Sequence, residues 1–319
     1  KKTESDYEDI SLQDVYSDLN KIIEDKSSKV TFLLGSNLTN EDLSSFNEFS
    51  NKLGNHEHSI YLNEDIFYKG FFDEETDNAK IDDLNDSDTI IIWAEDLKET
   101  LPVLYLRVRQ AVKNGVKLVV FGHANSTLTD IADVYYSEDI VSNNFEILKD
   151  ISDLKEINEH VKGKNITAIL GKSSPNQSDQ SLEKLYMYLK ENTKMKLFNA
   201  FNGGNSFGAF QMLDNVKGNK EFAAEISKET TDLLFVVGAD PIGKSIFSSK
   251  IKNIIEEIPT VVSLDLFLHE TSELADYIVP TSSTLGEKEG TFTNIEFRTS
   301  RIDKLVPSPG QTLSDWEFI

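Results

Sequence analysis

Short apolar, β-branched runs alternate with longer stretches of helical periodicity along most of the chain, and this alternation constrains the fold most strongly. The runs predict strands at Val30–Leu34, Thr89–Trp93, Lys117–Phe121, Ile166–Leu170, Leu233–Val237 and Thr260–Leu264. The intervening stretches predict helices that include Asn40–Leu53, Pro102–Lys113, Gln180–Glu191 and Ile246–Glu257. Thr39 and Asp42 are spaced as a capping pair at the start of the first of these helices. Such alternation indicates parallel sheets in an α/β fold.

The pattern occurs twice. Residues 90–93, 118–121 and 131–135 are followed, 143 positions later and without a gap, by similar runs at 233–236, 261–264 and 274–278. Asp133 falls on Asp276, and the run that starts at Val30 resembles the run that starts at Ile166. A repeat of this length indicates duplication of a whole domain. We therefore predict two consecutive, doubly wound, mostly parallel sheets of the Rossmann-like type.

The repeat also sets the expected boundaries. We expect a linker at 1–20, a first α/β domain at 21–150, a second at 151–302, and the start of a further segment at 303–319. The length of 319 residues fits roughly two domains of about 150 residues. We interpret the chain as a piece of a longer polypeptide.

Charge and cysteine content exclude several functions. The chain has 55 acidic and 32 basic side chains, a formal net charge of −23, and residues 1–150 hold 31 of the acids against 14 bases. Such a surface repels nucleic acid and anionic lipid. Without cysteine, these residues can form neither a disulfide nor a thiolate-held iron–sulfur cluster. Since no apolar run approaches the roughly 18 residues of a membrane span, we expect a cytoplasmic location without membrane insertion.

Two glycine-containing segments fit anion sites. Gly238–Ser245 reads G-A-D-P-I-G-K-S and matches the phosphate-loop pattern, with Asp265 as a magnesium-holding acid. Asp240 and Pro241 weaken that interpretation, because one adds negative charge and the other lacks an N–H group. Residues 201–209, which read F-N-G-G-N-S-F-G-A, form either an anion-binding nest or a plain strand-to-helix turn.

The most distinctive run covers 273–298. It contains A-D-Y-I-V-P and then E-K-E-G-T-F-T-N-I-E-F-R. Pro280 after the acid of a short strand indicates a loop, and Gly290 permits a tight bend. Glu296 and Arg298 supply opposite charges that could tie this loop down.

These motifs resemble those of the molybdopterin oxidoreductase superfamily, and Asp232–Pro241 resembles the strand and loop that precede them there. The resemblance covers most of 30–316. Within the superfamily the chain looks most like the large iron–sulfur subunits of bacterial NADH-quinone oxidoreductase, respiratory complex I. Phe297 stands where the family usually has glycine, and Ser300 where glutamine is frequent. These departures suit the complex I branch, which the resemblance describes as lacking the molybdenum cofactor in this region.

The resemblance implies a structural part of the peripheral arm, without catalytic residue, cofactor or metal in this fragment. Iron–sulfur clusters would lie in a missing N-terminal region, and other peripheral-arm subunits would be the partners, at the inner face of the plasma membrane. We expect the residues that matter to organise an inter-domain loop or to line a remnant dinucleotide cleft at the carboxyl ends of the strands. They are Asp240, Asp276, Glu289, Gly290, Thr291, Asn294, Glu296 and Arg298.

Two alternatives remain open from the sequence. The first is a truncated catalytic subunit of a molybdenum-dependent oxidoreductase such as a formate dehydrogenase, whose metal-ligating cysteine or selenocysteine would have to lie upstream of Lys1. The second is a phosphate-loop nucleotide-binding protein that uses Gly238–Ser245.

Overall fold

The computed structural model describes residues 1–319 except 4–6, 26, 54–57, 65–76, 95, 123–126, 138–154, 172–178, 202 and 246. The strands are β1 Val30–Leu34, β2 His58–Leu62, β3 Thr89–Trp93, β4 Lys117–Gly122, β5 Val134–Ser137, β6 Asn165–Gly171, β7 Lys194–Ala200, β8 Leu233–Val237, β9 Thr260–Asp265, β10 Tyr277–Pro280, β11 Gly290–Thr293 and β12 Thr299–Ile302. The helices are α1 Leu12–Ile23, α2 Asn40–Lys52, α3 Asp83–Asp86, α4 Leu97–Thr100, α5 Pro102–Lys113, α6 Lys155–Val161, α7 Asp179–Asn192, α8 Ser206–Met212, α9 Asn219–Glu225, α10 Pro241–Lys244, α11 Ser248–Glu257 and α12 Asp315–Phe318.

The chain forms two compact units. Unit 1 comprises Lys1–Ile66, Gly203–Asn294 and Arg298–Ile319, and unit 2 comprises Phe67–Asn202 and Ile295–Phe297. This division differs from the consecutive domains expected at 21–150 and 151–302. The reason is that β1 pairs in parallel with β8, in register from Val30↔Leu233, so the beginning and the second half of the chain build one sheet together.

The two termini also differ from expectation. Residues 1–20 are more than a linker, because α1 begins at Leu12 after the N-cap Ser11 and buries Val15 and Leu19. At 303–319, α12 closes the described chain, and Phe318 belongs to the same hydrophobic cluster. Both terminal segments are therefore part of unit 1.

Each unit contains one five-stranded sheet in which every pair of neighbouring strands is parallel. The strand order is β10-β9-β8-β1-β2 in unit 1 and β5-β4-β3-β6-β7 in unit 2. A separate antiparallel hairpin is formed by β11 and β12, with Gly290 opposite Ile302. The α/β class with two parallel five-stranded sheets is as predicted.

The six strands predicted from the sequence are the interior strands of these sheets. The unpredicted strands β2, β5, β7 and β10 are the four sheet edges. Interior strands such as β3 and β8 are buried at every position, whereas β5 is half-buried throughout. An edge strand buries less surface, so its sequence is less apolar and its signal is weaker.

The structure confirms the repeat in atomic detail. The 3₁₀ turn Thr129–Ile131 before β5 corresponds to Ser272–Leu274 before β10, 143 residues later. Asp133 accepts the amide N–H of Leu118 at 2.9 Å, and Asp276 accepts that of Val261 at 2.8 Å. Each of these aspartates therefore ties the start of an edge strand to its neighbour in the same way.

A second pair of matched aspartates precedes the central strands. Asp232, before β8, accepts the amide of Lys29 at 2.8 Å, and Asp88, before β3, accepts the amide of Asn165 at 2.9 Å. Each aspartate joins the amino ends of the two central strands, β8 and β1 in unit 1 and β3 and β6 in unit 2, from which the chain connections run in opposite directions. The two units thus have the same five-stranded sheet topology. They differ in chain order, because the first strand along the chain is β1 in unit 1 and β3, the counterpart of β8, in unit 2.

Aromatic stacking between neighbouring strands fills both cores. The rings of Phe32 and Phe235 stack at a centroid distance of 5.2 Å in unit 1, and those of Trp93 and Phe121 at 5.4 Å in unit 2. Such offset pairs stabilise beyond the area they bury. Within the described part of the chain, no helix has the length and apolar character needed to cross a bilayer.

Candidate functional site

The site that the fold positions is the carboxyl edge of the unit 1 sheet, between β1 and β8. From β1 the chain passes through α2 to β2 on one side, and from β8 through α11 to β9 on the other. Doubly wound folds bind ligands at such a switch point. Here the two strand ends lie in close contact: the Gly35 amide donates to the Val237 carbonyl at 2.7 Å, and a Cβ on Gly35 would lie 1.8 Å from the Gly238 oxygen.

The loop after β1 is covered by the segment 203–206. The Asn205 amide donates to the Ser36 carbonyl at 2.7 Å, and the Gly204 amide donates to Asn37 Oδ1 at 2.9 Å. A Cβ on Gly203 would lie 1.9 Å from Ser36 Oγ. The possible anion nest at 201–209 therefore uses these two amides to bind its own chain.

Asn205 is the centre of this cover. Its side chain is fully buried, donates to the Leu38 carbonyl at 2.8 Å and to Asn40 Oδ1 at 2.9 Å, and accepts the Thr293 amide at 2.7 Å. It thus joins the start of α2 to the hairpin strand β11. Sequence reasoning missed this role, because the only local signal for Asn205 is its position in a glycine-containing turn.

The amino end of α2 is occupied by carboxylates of the chain itself. Thr39 and Asp42 form the predicted capping box, with the Asp42 amide donating to Thr39 Oγ1 at 3.1 Å and the Thr39 amide donating to Asp42 Oδ2 at 2.9 Å. Glu41 accepts the Thr291 amide at 2.7 Å and its hydroxyl at 2.8 Å. Because a helix amino end attracts anions, Glu41 and Asp42 take the position that a bound phosphate would otherwise favour.

A buried ion cluster lies beneath this helix end. Lys288 Nζ contacts Asp42 Oδ2 at 2.6 Å and Asp315 Oδ2 at 2.5 Å, and the three side chains are 2%, 0% and 3% exposed. Burial, opposed by Lys288, raises the pKa of Asp315 to about 6. Burial opposes the charge on Lys288, but the two carboxylates outweigh it and raise the pKa of the ammonium group. Two carboxylates thus share one cation.

The loop after β8 is engaged in the same way. Asp240 caps α10 by accepting the Gly243 amide at 3.2 Å, and it also accepts the Thr271 hydroxyl at 2.7 Å. The Ile242 amide donates to Thr271 Oγ1 at 3.3 Å. Two amides of Gly238–Ser245 that a phosphate loop would turn toward its ligand therefore have acceptors within the protein. This geometry counts against the nucleotide-binding alternative.

A histidine bridges the carboxylates at this edge. His269 Nδ1 lies 3.3 Å from Asp240 Oδ1, and Nε2 lies 3.1 Å from Asp265 Oδ2. The carboxylate that a phosphate loop would use to hold magnesium is therefore paired with an imidazole. In the described part of the chain, no three or more histidine, aspartate or glutamate side chains form a group that could hold a metal ion.

Three of the predicted site residues lie at the start of the hairpin. Gly290 begins β11, where a Cβ would come within 2.6 Å of Thr39 Cγ2, so glycine permits close approach to α2. Thr291 binds Glu41 as described above. Glu289 is exposed and pairs with Arg301 at 3.3 Å. Gly290 and Thr291 therefore belong to the packed helix end, and Glu289 to the surface.

The remaining residues of that motif shape the hairpin turn. The Asn294 amide donates to the Arg298 carbonyl, and Asn294 Oδ1 accepts the Arg298 amide, both at 3.0 Å. Glu296 accepts the Ile81 amide at 2.7 Å within unit 2. The backbone and the side chain of Asn294 close the turn, in place of the ion pair expected between Glu296 and Arg298.

Phe297 has a φ of 57°. That left-handed conformation favours glycine, which explains why the resembling family has glycine at this position.

Asp276 lies elsewhere. It binds the Val261 amide near the amino ends of β9 and β10, at the opposite edge of the sheet from the loops after β1 and β8. A place in a dinucleotide cleft, one of the two roles expected for it, is therefore excluded by the strand direction. Asp276 is a structural tie, as its counterpart Asp133 is in unit 2.

Fold and site together define a doubly wound α/β protein whose switch point in unit 1 is closed by its own side chains. The chain belongs to the molybdopterin oxidoreductase family, whose model matches residues 9–319. It belongs by this membership to a family of oxidoreductase enzymes.

Among curated relatives, the chain is 33% identical over 132 residues to the F420-dependent formate dehydrogenase 2 subunit alpha of Methanococcus maripaludis, which is 38% of this chain and 19% of that protein. It is 37% identical over 86 residues to the assimilatory nitrate reductase catalytic subunit of Bacillus subtilis, which is 27% of this chain and 12% of that protein. The matched part thus spans less than a fifth of either relative.

Solved structures share the fold. A chain of the formyltransferase/hydrolase complex of Methylorubrum extorquens superposes with a TM-score of 0.64 at 10% identity, over 97% of this chain and 94% of that chain. Acetylene hydratase from Pelobacter acetylenicus gives a TM-score of 0.57 at 13% identity, over 99% of this chain and 58% of that chain.

The family name implies a pterin cofactor, whose dinucleotide form carries an anionic pyrophosphate. The described residues at the switch point of unit 1 do not fit that group. Glu41 and Asp42 occupy the amino end of α2, Asp240 occupies that of α10, and Ser36 fills the space beside Gly203. An anion placed there would be repelled by these carboxylates.

Proposed function

We propose that this chain is a scaffold portion of the large subunit of an oxidoreductase of the family, which packs and positions neighbouring parts and does not seat a pterin dinucleotide in unit 1. The carrying observation is the closed switch point. Glu41 accepts the Thr291 amide, Asp42 accepts the Thr39 amide, and Asp240 accepts the Gly243 amide, so these amides around the switch point already have acceptors that an anionic cofactor would have to displace.

For the parent enzyme, we infer a formate dehydrogenase-like oxidoreductase. The relatives named above are a formate dehydrogenase and a nitrate reductase, and this supports the enzyme alternative more than the complex I interpretation. In such an enzyme, a metal-ligating cysteine would come from outside these 319 residues, which contain none.

A second candidate is the structural part of an NADH-quinone oxidoreductase subunit, with peripheral-arm subunits as its partners. The observation that favours it is again the closed switch point, since that branch is expected to lack the molybdenum cofactor here. Phe297, which stands in place of the family's glycine, is a second feature that favours a branch without the molybdenum cofactor.

One purification tests both the scaffold role of this chain and the identity of its parent enzyme. We would isolate the protein with its natural partners, measure molybdenum and pterin per chain, and titrate the isolated chain with guanosine diphosphate by calorimetry. We expect no guanosine diphosphate binding to the isolated chain at sub-millimolar concentration. Tight binding, or stoichiometric pterin cross-linked to Gly203–Ser206, would overturn the scaffold role. Formate oxidation by the assembly would support the first parent enzyme, and quinone reduction by NADH the second.

A further inference from the structure

Helix α5 carries an unusual charge for this protein. Its sequence, P-V-L-Y-L-R-V-R-Q-A-V-K, contains Arg107, Arg109 and Lys113 and no acid, although the chain as a whole has a net charge of −23. Two of the four arginines of the chain lie here. In the part of the chain that the structure describes, none of the three cations pairs with a carboxylate.

Large apolar side chains are exposed on the same helix. Val103 is 62% and Leu106 60% exposed, and Ile131 on the neighbouring 3₁₀ turn is 38% exposed. A groove of about 370 Å³ lies beside them. Its lining consists of Leu106, Arg109, Gln110, Val112, Lys113 and Ile131. Among the residues that the structure describes, this lining combines apolar surface with cations and contains no acidic side chain.

The position of Arg109 is fixed from beneath. Its guanidinium carbon lies 5.7 Å from the centre of the Tyr105 ring, and Nη1 donates to the Tyr105 hydroxyl at 3.4 Å. Tyr105 is buried, and its hydroxyl is hydrogen-bonded to Thr127 Oγ1 at 2.6 Å. An arginine held in this way loses little conformational freedom on binding, and arginines beside apolar pockets are frequent binding hot spots.

We propose that this α5 face, formed by Val103, Leu106, Arg109, Lys113 and Ile131, binds an acidic segment of a partner protein. The segment places an apolar side chain in the groove and carboxylates opposite Arg109 and Lys113. Charge selects the occupant: a chain of net charge −23 repels an acidic partner over most of its surface, so an acidic segment finds complementary charge at this face. The proposal is independent of the parent enzyme.

The test uses the full 319-residue chain and a labelled synthetic helix that has leucines on one face flanked by glutamates. A second peptide has lysine at every glutamate position. The variant is Leu106→Glu/Arg109→Glu. Its matched control is Met187→Glu/Lys184→Glu on α7, which makes the same kind of change at an exposed apolar residue and a base of the same unit.

We expect the glutamate peptide to bind the natural chain and the control variant, with affinity that falls as salt rises. The α5 variant should bind at least about tenfold more weakly, and so should the lysine peptide. Arg109→Gln, which keeps most of the side chain's packing, should weaken binding in the same direction. Circular dichroism and Trp93 fluorescence confirm that each variant is folded.

Three results would overturn the proposal. One is equal affinity of the α5 variant and the control for the glutamate peptide. Another is equal binding of the lysine peptide, which would indicate apolar contact without charge selection. The third is failure of the glutamate peptide to bind a chain that dimerises in sedimentation through α5, which would assign the face to a second copy.

Discussion

Removal of the Lys288 ammonium group is the most informative perturbation of unit 1. In Lys288→Met, the carboxylates of Asp42 and Asp315 would stay buried without their shared cation. Asp42 keeps hydrogen bonds from the Thr39 amide and hydroxyl, but Asp315 Oδ1 already has no partner. Breaking a buried ion pair by removal of one partner typically costs about 3–5 kcal/mol, and we expect that loss in the free energy of unfolding at pH 8.

The loss of stability in Lys288→Met should be smaller at low pH, because a protonated Asp315 carries no charge that needs the ammonium group. The pKa of Asp315 is raised to about 6 in the folded protein from an ordinary value of 3.8. A raised carboxyl pKa means that the folded state holds the proton more tightly, so its contribution is fully present below pH 3.8 and is lost as pH rises through about 6. At about 1.4 kcal/mol per pKa unit, Asp315→Asn should remove a pH dependence that totals about 3 kcal/mol from well below pH 3.8 to well above pH 6.

The assay is denaturant unfolding followed by tryptophan fluorescence. The chain has two tryptophans, and Trp316 lies in unit 1, with its amide donating to Asp42 Oδ1 at 3.2 Å. A Trp93→Phe background therefore reports unit 1 alone. Lys21→Met, which breaks an exposed pair with Asp18, is the matched control and should cost below about 0.5 kcal/mol.

Two results would refute this reasoning. The first is a loss below about 1 kcal/mol for Lys288→Met at pH 8, because the cluster would then not depend on its cation. The second concerns the double variant Lys288→Met/Asp315→Asn, which removes the uncompensated carboxylate and should be more stable than Lys288→Met alone. If the double variant is the less stable of the two, charge does not dominate the effect.

Three further predictions test other contacts. Gly290→Ala should destabilise unit 1 by about 1–3 kcal/mol, because its Cβ would lie 2.6 Å from Thr39 Cγ2; an unchanged unfolding midpoint would contradict that packing. Since Phe297 has a φ of 57°, Phe297→Gly should be about 1 kcal/mol more stable than Phe297→Ala in denaturant unfolding, and the opposite order would contradict the left-handed conformation. Asp133→Ala and Asp276→Ala should each cost about 1–3 kcal/mol, measured by the tryptophan of unit 2 and of unit 1 respectively, and an unchanged stability for either variant would contradict its part in holding the edge strand. Burial alone would raise the pKa of Asp133, but hydrogen bonds from its neighbours lower it, so the loss for Asp133→Ala should shrink as pH falls below about 4.

The sequence predicts the interior strands and the repeat because both depend on local patterns. Continuous apolar runs at Thr89–Trp93 and Leu233–Val237 coincide with β3 and β8 residue for residue. Helix α5 begins at Pro102, as its fixed φ favours, and ends at Lys113, with Asn114 as its C-cap. The same local signal is weaker at the edge strands, where β7 begins with two exposed lysines, one on each side of a buried methionine.

The sequence does not predict which strands share a sheet. In unit 1 the amide of Lys29 binds Asp232, 203 residues away, and in unit 2 the equivalent amide of Asn165 binds Asp88, 77 residues away. Both arrangements have the same local patterns, because the units are copies. Only the long-range pairing shows that the sheet of unit 2 comes from one continuous stretch of chain, whereas the sheet of unit 1 is completed by the second half of the chain.

The same long-range contacts decide how the site is interpreted. Thr291 lies in the motif that resembles a ligand-binding signature, yet its amide and hydroxyl bind Glu41, 250 residues away. A carboxylate of the chain and a phosphate of a ligand accept the same hydrogen bonds, so the motif alone cannot distinguish them. The discriminating residues are the acids in the first turn of α2, Glu41 and Asp42. Acidic side chains in the first turn oppose an external anion at that helix end, and in this chain both positions are acidic.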